Sequence, residues 1–209
     1  MPFNLATLAL MTLAPAKRKR GRPVTTDPME VSLVALRLFT ARGVDNVTMD
    51  EVAEAAKISR SNLFRVFPSK GAIVWGGMHT FTELLEEKLQ NAQGKDVVRI
   101  LHKAWIDAMH ELDESAESIR LRFKLIGSSR EVYGWGQAQF REARGVIEGA
   151  IARLEGGSSI RSNMVAAALV AASVQALIWW AQTDDPRTPA ELLDQSFVEF
   201  EKIFATVAN

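Results

Sequence analysis

Apolar residues recur at intervals of three and four positions from residue 29 onward, and no stretch alternates with the two-residue period of a half-buried strand. The pattern therefore predicts an all-α protein of about nine helices, without an internal repeat. The apolar stripes fall in the following ranges: 31–39, 52–56, 63–66, 73–89, 97–112, 119–126, 140–154, 164–180 and 193–207.

Residues 47–70, VTMDEVAEAAKISRSNLFRVFPSK, predict two short helices joined by a tight turn. Thr48 is a strong N-cap, and Glu51 three residues later completes a capping box. The second helix ends at Phe67, because Pro68 disfavours helical backbone in the residue before it. Two helices of this length cannot bury a core alone, so we expect the second one to be held against another molecule.

Four polar side chains lie on the outer face predicted for the second helix: Arg60, Ser61, Asn62 and Arg65. They could reach base edges or phosphates in the major groove of DNA. The alternative is an ordinary solvated face. Ahead of the pair, Asp27 and Pro28 open a supporting helix that Gly43 ends, with a left-handed conformation expected at this glycine.

The segment ALRLFTARG, followed by VTMDEVAEAAKIS and LFRVFPSK, resembles the N-terminal domain of the TetR family of bacterial transcriptional regulators. The resemblance covers roughly residues 29–75. It implies an N-terminal three-helix DNA-binding domain with a helix-turn-helix, and a C-terminal helical bundle for ligand binding and dimerisation. We accordingly expect a leader and basic arm over 1–23, a DNA-binding domain over 24–75 and a ligand-binding domain over 76–209.

Three residues depart from the family pattern. Lys57 stands in a turn where the family has glycine, which costs about 1 kcal/mol. Phe64 replaces a tyrosine whose hydroxyl the resemblance assigns to a DNA phosphate, and Val66 replaces tyrosine or histidine. We therefore expect weaker anchoring of the phosphate backbone here, compensated by Arg65 and the basic arm.

The formal net charge of zero hides an asymmetry along the chain. Residues 17–70 hold eleven Lys and Arg against six Asp and Glu, a net of +5, and residues 71–209 hold fourteen against nineteen, a net of −5. A basic front and an acidic rear indicate that only the front meets a polyanion.

Residues 1–14 are apolar, but the positive charges follow this run, whereas a signal peptide has them ahead of it. We expect a disordered leader or a start codon placed too far upstream, with Met11 as the other candidate. The basic run 17–23 contains Arg-Gly-Arg-Pro, so Arg20 and Arg22 resemble the paired arginines of an AT-hook in a minor groove. A merely solubilising tail is the alternative.

Ser69 can cap a long helix with Lys70 in its first turn. A lysine there opposes the helix dipole, so a phosphate contact is a better reason for it than stability, and the family resemblance implies the same role. Thr48 is also expected at the DNA interface.

The last two predicted helices combine small and aromatic residues. Phe200 and Phe204 form an apolar seam, and close helix approach is allowed by four small residues: Ala167, Ala168, Ala171 and Ala172. This could be a core stripe alone, but the resemblance favours a homodimer through the last two helices. Its reading helices would lie about 34 to 36 Å apart. Residues 160–183 match a membrane span in length, yet we expect them to be buried in protein.

Aromatic and methionine residues are plentiful in the rear part, and most are expected in the core. Trp105, Met109, Phe123 and Phe140 are our candidates for the lining of an effector cavity. The segment FPSK-x-x-IVWG is similar to regulators associated with mycofactocin clusters, some of which respond to acyl-coenzyme A. The expected effector is therefore small and apolar, with an acyl-coenzyme A-like compound as one candidate.

No enzyme or cofactor is predicted. The three histidines lack metal-ligand spacing, no cysteine is present, and no nucleophile–base pair is evident. The chain is read as a cytoplasmic, ligand-responsive regulator that binds a double-stranded DNA operator, most simply a repressor released by its effector. The alternative is a ligand-insensitive architectural DNA-binding protein led by its basic arm.

Overall fold

The computed structural model describes the backbone of residues 27–207 and the side chains of 27–200 and 202. Within that part of the chain there are ten helices and no strands, as the all-α prediction requires. They are α1 (Pro28–Arg42), α2 (Met49–Ala55), α3 (Arg60–Val66), α4 (Lys70–Gln90), α5 (Val97–Glu111), α6 (Ala116–Ser128), α7 (Arg130–Gly134), α8 (Gln137–Glu155), α9 (Ile160–Thr183) and α10 (Pro189–Val207). The five-residue α7 is the helix that the sequence pattern missed.

The first three helices begin and end where their capping residues predict. Asp27 caps α1, and Thr48 and Glu51 form the complete capping box of α2. Ser59 caps α3, which ends before the extended Phe67. Gly43 has a positive φ of 84° as expected, but its ψ of 142° lies outside the left-handed helical region.

Helix α1 is buried on a wider face than its sequence pattern predicts. Ser32 and Leu36 are 2% and 0% exposed, whereas Val34 and Leu38 of the predicted stripe are only half-buried. The reason is that α1 packs against α6 of the rear part as well as against α2 and α4. The first three helices and the rear part therefore share one continuous apolar core.

Helix α4 extends from the second helix of the pair into the rear part, where it packs against α5 and α8. Helix α9 lies against α6, α8 and α10. Among the described residues it is the one helix long and apolar enough to cross a membrane, and half of its most apolar stretch is buried within the protein. Its inward face thus belongs to the core.

The leader and basic arm over 1–23, with Arg20 and Arg22, lie outside the described residues, as does the side chain of Phe204.

Candidate nucleic-acid interface and apolar cavity

Helix α3 is attached to the core by its apolar side and leaves its polar side in solvent. Leu63 is fully buried, whereas Arg60, Ser61 and Arg65 are exposed and Asn62 is half-buried. The capping bond from Asn62 N–H to Ser59 Oγ fixes the first turn. The structure thus brings the predicted polar residues together on one convex surface that no other described element covers.

Arg60 is oriented by two neighbours on this surface. Its Nε and Nη1 lie 3.1 and 3.2 Å from the two carboxylate oxygens of Asp50 on α2. Its guanidinium also lies 5.4 Å from the ring centroid of Phe64. Phe64, which is 38% exposed, therefore supports an arginine here, a role that its lack of a hydroxyl did not suggest.

The turn between α2 and α3 requires a left-handed backbone. Lys57 has φ of 55°, one of two positive values among the described non-glycine residues. The turn closes with a hydrogen bond from Ile58 N–H to the carbonyl of Ala53. This geometry explains why the family pattern has glycine at the position, and it leaves the Lys57 side chain exposed beside α3.

A carboxylate network fixes the start of α2. Glu51 accepts hydrogen bonds from the Thr48 N–H and from Arg42, both at 2.7 Å. The backbone bond from Thr48, followed by the Arg42 bond, lowers the pKa of Glu51 to about 2. Thr48 is exposed at this helix N-terminus, and its own N–H and that of Glu51 are bonded within the capping box.

Lys70 has an intramolecular partner. Its Nζ donates a hydrogen bond of 2.8 Å to the carbonyl of Val44 in the loop between α1 and α2. Contrary to the expectation from the helix dipole, Lys70 therefore has a stabilising role, because its side chain ties the first turn of α4 to the preceding loop. The bond links two elements distant in sequence, so helix periodicity gave no signal for it.

An apolar cavity lies in the rear part, between α4, α5, α6, α9 and α10. Its volume is about 40 Å³. Trp105, Met109 and Phe123 line it, as the sequence proposal had them, together with residues that the proposal missed: Trp75, Gly77, Met78, Phe81, Leu112, Glu114, Ile119, Arg122, Ile126, Ser173, Val174, Leu177 and Leu193. The missed residues come from four helices and the loop between α5 and α6, and only tertiary packing brings them together.

Phe140, the fourth candidate, does not line this cavity. Its ring lies edge-on to Trp75 at 5.1 Å and 5.4 Å from the ring of Tyr133. Trp75 is itself fixed by a 2.8 Å hydrogen bond to the carbonyl of Val132. A helical stripe cannot distinguish a residue on the cavity side of this tryptophan from one on the opposite side.

A buried ion pair forms one wall of the cavity. The side chains of Arg122 and Glu114 are 5% and 2% exposed, and their Nη2 and Oε1 atoms lie 2.5 Å apart. Arg122 also donates to the carbonyls of Ile73, at 2.5 Å, and Val74 in α4, and its Nη2 lies 3.4 Å from Ser32 Oγ in α1. One guanidinium therefore touches the cavity wall, α4 and α1.

Helix α6 makes further polar contacts through residues in its N-terminal part. Glu117 pairs with Arg37 of α1 through two bonds of 2.8 Å, which lower the pKa of Glu117 and raise that of Arg37. Arg120 lies 3.8 Å over the ring of Trp180 and donates to the Asp185 carbonyl at 2.6 Å. Helix α6 thus connects α1 with the segment between α9 and α10.

The outward face of α9 is mostly apolar, with Gln175 as an exposed polar residue, and it is uncovered by the rest of the described chain. Ile160 is 79% exposed, Met164 64% and Trp179 50%, with Ala171 and Ala172 exposed between them. We call this set the α9 face. Its larger residues lie near the helix ends and its small ones in the middle, which is the shape that lets a second helix approach closely.

The described residues contain no group of three histidine, aspartate or glutamate side chains placed to hold a metal ion. His102, one of the three histidines, instead bonds Asp194 of α10 at 2.8 Å and stacks on Phe197.

Two family models match the chain. Residues 33–74 match the model described as bacterial regulatory proteins of the tetR family, and residues 95–205 match that of the MftR C-terminal domain. The first range contains α2, α3 and the start of α4, and the second contains α6 and most of the cavity wall.

Similar proteins agree with these matches. The mycofactocin biosynthesis transcriptional regulator MftR of Mycobacterium tuberculosis is 32% identical over 187 residues, which cover 88% of this chain and 93% of that protein.

Among solved structures, FadR of Thermus thermophilus, a TetR family repressor in complex with lauroyl-CoA, has a TM-score of 0.53 at 21% identity and covers 81% of this chain and 91% of its own. The SmeT–triclosan complex has a TM-score of 0.56 at 19% identity, over 82% of this chain and 90% of that one. The chain belongs to the TetR family of bacterial transcriptional regulators, with a C-terminal domain of the MftR type, and is a DNA-binding transcriptional regulator.

Proposed function

We propose that this regulator is a homodimeric repressor that leaves its operator when an acyl compound, such as an acyl-coenzyme A, enters the apolar cavity. The observation that carries the proposal is the position of Arg122. It lies in the cavity wall and also bonds α4 and α1, the helices that support the DNA-reading pair. A change in the cavity wall therefore acts directly on the front of the molecule.

The DNA interface that we propose consists of the α3 surface with its flanks. Arg60, Ser61, Asn62 and Arg65 face the major groove, while Thr48, Phe64 and Lys70 border it. Arg65 makes no ion pair with a described residue, so its charge is available to DNA. Arg20 and Arg22 of the arm would add minor-groove or phosphate contacts, which raise affinity and salt dependence.

The α9 face, continued by α10, is the proposed dimer interface. Its midpoint lies at Ala171 and Ala172, about equally far along α9 from Met164 and Trp179. A two-fold axis through this midpoint places Trp179 of one protomer beside Met164 of the other. Such a dimer covers the exposed tryptophan and presents two α3 helices to successive major grooves.

The cavity requires opening before an effector can bind. At about 40 Å³ it accommodates roughly one water molecule, whereas ligand pockets measure about 300 to 1,000 Å³. Met78 and Met109 are flexible side chains that can reposition without strain. Lauroyl-CoA in the FadR complex is an example of an effector with a long apolar chain and a polar head.

The proposed mechanism is a shift between two populations. In the closed state Arg122 holds the first turns of α4 by the carbonyls of Ile73 and Val74. An acyl chain between α4, α5 and α6 separates these walls, so α4 and the attached α3 move relative to the dimer axis. The two reading helices then have the wrong spacing for the operator.

DNA recognition is tested by selecting duplexes from a randomised pool with the purified full chain. The selected site should contain two related half-sites about one helical turn apart. Arg65→Ala should weaken binding to it about ten-fold or more, whereas Arg130→Ala, a matched change on α7 of the rear part, should not. Equal binding by the wild-type chain to selected and scrambled duplexes would contradict the proposal.

Deletion of residues 1–23 separates this function from an architectural one. A sequence-specific regulator keeps its site preference with lower affinity and a smaller salt dependence. A protein led by its basic arm loses binding altogether.

The proposed function also implies a cytoplasmic protein with three parts: a leader and arm over 1–23, a DNA-binding domain over 24–75 and an effector domain over 76–209. The ranges of the two family models support this division.

A further inference from the structure

One hydrogen-bond donor in the cavity wall has no partner. The indole Nε1–H of Trp105 is buried and unbonded, although the residue itself is only 2% exposed. The two other buried tryptophans differ in this respect. Trp75 Nε1 bonds the Val132 carbonyl and Trp180 Nε1 bonds the Arg187 carbonyl, both at 2.8 Å.

The orientation of Trp105 is fixed by packing and not by its N–H group. Its ring lies 5.1 Å from the ring of Phe81 and 5.9 Å from that of Phe197, between α4 and α10. A buried N–H without an acceptor costs about 1 to 3 kcal/mol. Packing alone could be provided by phenylalanine or leucine, so the donor is a feature of the site that the closed structure does not use.

The rest of the wall leaves few other polar groups for a ligand. Arg122 and Ser118 both donate to Glu114 Oε1, at 2.5 and 2.7 Å, whereas no described group donates to Glu114 Oε2. Ser173 on α9 is the remaining hydroxyl in the wall and is buried. A ligand that opens this cavity therefore meets mostly apolar side chains, with the Trp105 indole N–H and the Ser173 hydroxyl as uncommitted donors and Glu114 Oε2 as an acceptor.

We propose that Trp105 Nε1 donates a hydrogen bond to the carbonyl oxygen of the bound effector, with the Ser173 hydroxyl as a second contact. The inference rests on the proposed function and identifies the group that recognises the carbonyl of its acyl effector, the atom pair that adjoins the alkyl chain. A pure hydrocarbon or a thioether fills the same apolar space but leaves the donor unpaired. Trp105 is thus a specificity residue of the effector site.

A water molecule in the closed cavity does not remove this selectivity. About 40 Å³ is enough space for one water, but the indole nitrogen of Trp105 is closed to it, so a water reaches this nitrogen only once the cavity opens. An effector that displaces the water must replace its hydrogen bond or lose affinity. A carbonyl oxygen replaces it, whereas a methylene group does not.

The test compares lauroyl-CoA with S-dodecyl-CoA, the thioether that has the same chain length and lacks the carbonyl. Affinity is measured by calorimetry and by release of a fluorescent operator duplex. The full-length wild-type protein should bind the thioester about ten-fold more tightly. In Trp105→Phe the affinity ratio should fall toward the smaller value that the Ser173 contact alone provides, because both ligands lose the same packing and only the thioester loses the indole hydrogen bond.

Two further variants control for changes in cavity shape and for folding. Met109→Leu changes the shape of the same wall without adding or removing a polar group. The affinities for both ligands should therefore change by the same factor, and the ten-fold ratio should remain. Ser173→Ala removes the hydroxyl, and alanine is a strong helix former, so this variant should fold. It should reduce the affinity ratio even if Trp105→Phe does not fold.

The outcomes separate this inference from the function on which it rests. Equal wild-type affinity for thioester and thioether, with a water retained at Trp105 Nε1, would overturn the inference and leave the effector site intact. Failure of both ligands to bind would overturn the proposed function and the inference with it. Laurate as a third ligand tests whether the bound carbonyl belongs to a free fatty acid or to a thioester. Binding as tight as that of lauroyl-CoA supports the carbonyl contact and assigns it to a free fatty acid.

Discussion

Lys57, in the turn before α3, has a φ of 55°. This left-handed backbone conformation is energetically unfavourable for any residue that has a Cβ atom. Helix capping does not require a lysine here, and the charge of Lys57 is exposed next to α3. Stability and DNA affinity therefore make opposite demands at Lys57.

Replacement of Lys57 tests this conflict. Lys57→Gly should raise the free energy of unfolding by about 1 kcal/mol, because glycine adopts positive φ without strain. It should also weaken operator binding and reduce its salt dependence. Thermal denaturation and anisotropy titrations measure the two effects. Lys57→Asn removes the same charge, and asparagine tolerates the positive φ of the turn. Equal DNA affinity of Lys57→Asn and the wild-type protein would refute a role for the charge.

The capping box of α2 gives a pH-dependent prediction. The pKa of Glu51 is lowered to about 2 from an ordinary value of 4.5, so the folded state favours its ionised form. The resulting stabilisation is complete above about pH 4.5 and is lost as pH falls through the folded pKa near 2. Glu51→Gln should therefore be less stable than wild type at pH 7, and the difference should shrink between pH 4.5 and 2.

Acid titration of unfolding by circular dichroism measures this difference. Thr48→Ala serves as the matched change in the same box, with an expected loss of about 1 kcal/mol that varies less with pH. A Glu51→Gln deficit of constant size down to pH 2 would contradict the assignment.

The cap residues Thr48, Glu51 and Ser59 fix their helix starts through contacts within three residues, which is why sequence alone was sufficient to place α2 and α3. Leu36, Lys70 and Arg122 could not be assigned in this way. Their partners on α6, the α1–α2 loop and α4 are distant in sequence, and such contacts leave no periodic signal.

At the scale of elements, close approach between α4 and the α5–α6 loop depends on a glycine. A Cβ added at Gly77 would overlap Glu114 Oε2 of the buried ion pair. In contrast, a Cβ at Gly145 in the middle of α8 would meet no atom within 4 Å. The two helical glycines thus form a matched pair of sites.

We expect the same substitution to have opposite effects at these sites. Gly77→Ala should destabilise the protein by about 1 to 3 kcal/mol, because Glu114 must shift away from Arg122. Gly145→Ala should stabilise it by about 0.5 to 1 kcal/mol through helix propensity. Chemical denaturation measures both changes. If Gly77→Ala were as favourable as Gly145→Ala, the tight contact between α4 and Glu114 would be absent in solution.

At the scale of the whole molecule, the α9 face relates the fold to DNA binding. A monomer with Trp179 half exposed has one reading helix, whereas a two-fold dimer has two at the spacing of successive grooves. The aromatic seam of the last helix was visible in the sequence. The exposure of Trp179 beside the buried Trp180 was visible only in the structure.

Trp179→Glu should therefore produce a folded monomer with operator affinity reduced at least ten-fold. Val98→Glu places the same charge on an exposed valine of α5, outside the α9 face, and should remain dimeric. Sedimentation velocity at micromolar concentration distinguishes the two. A dimeric Trp179→Glu protein would assign the interface to another surface.

The central claim is that occupation of the cavity and occupation of the operator exclude one another. The most direct measurement is the anisotropy of a fluorescent, selected operator duplex bound to the full-length dimer while lauroyl-CoA is added. The proposal predicts a fall to the value of free DNA, with a midpoint that rises with protein concentration. Anisotropy that stays constant while calorimetry shows lauroyl-CoA bound to the same protein would contradict it.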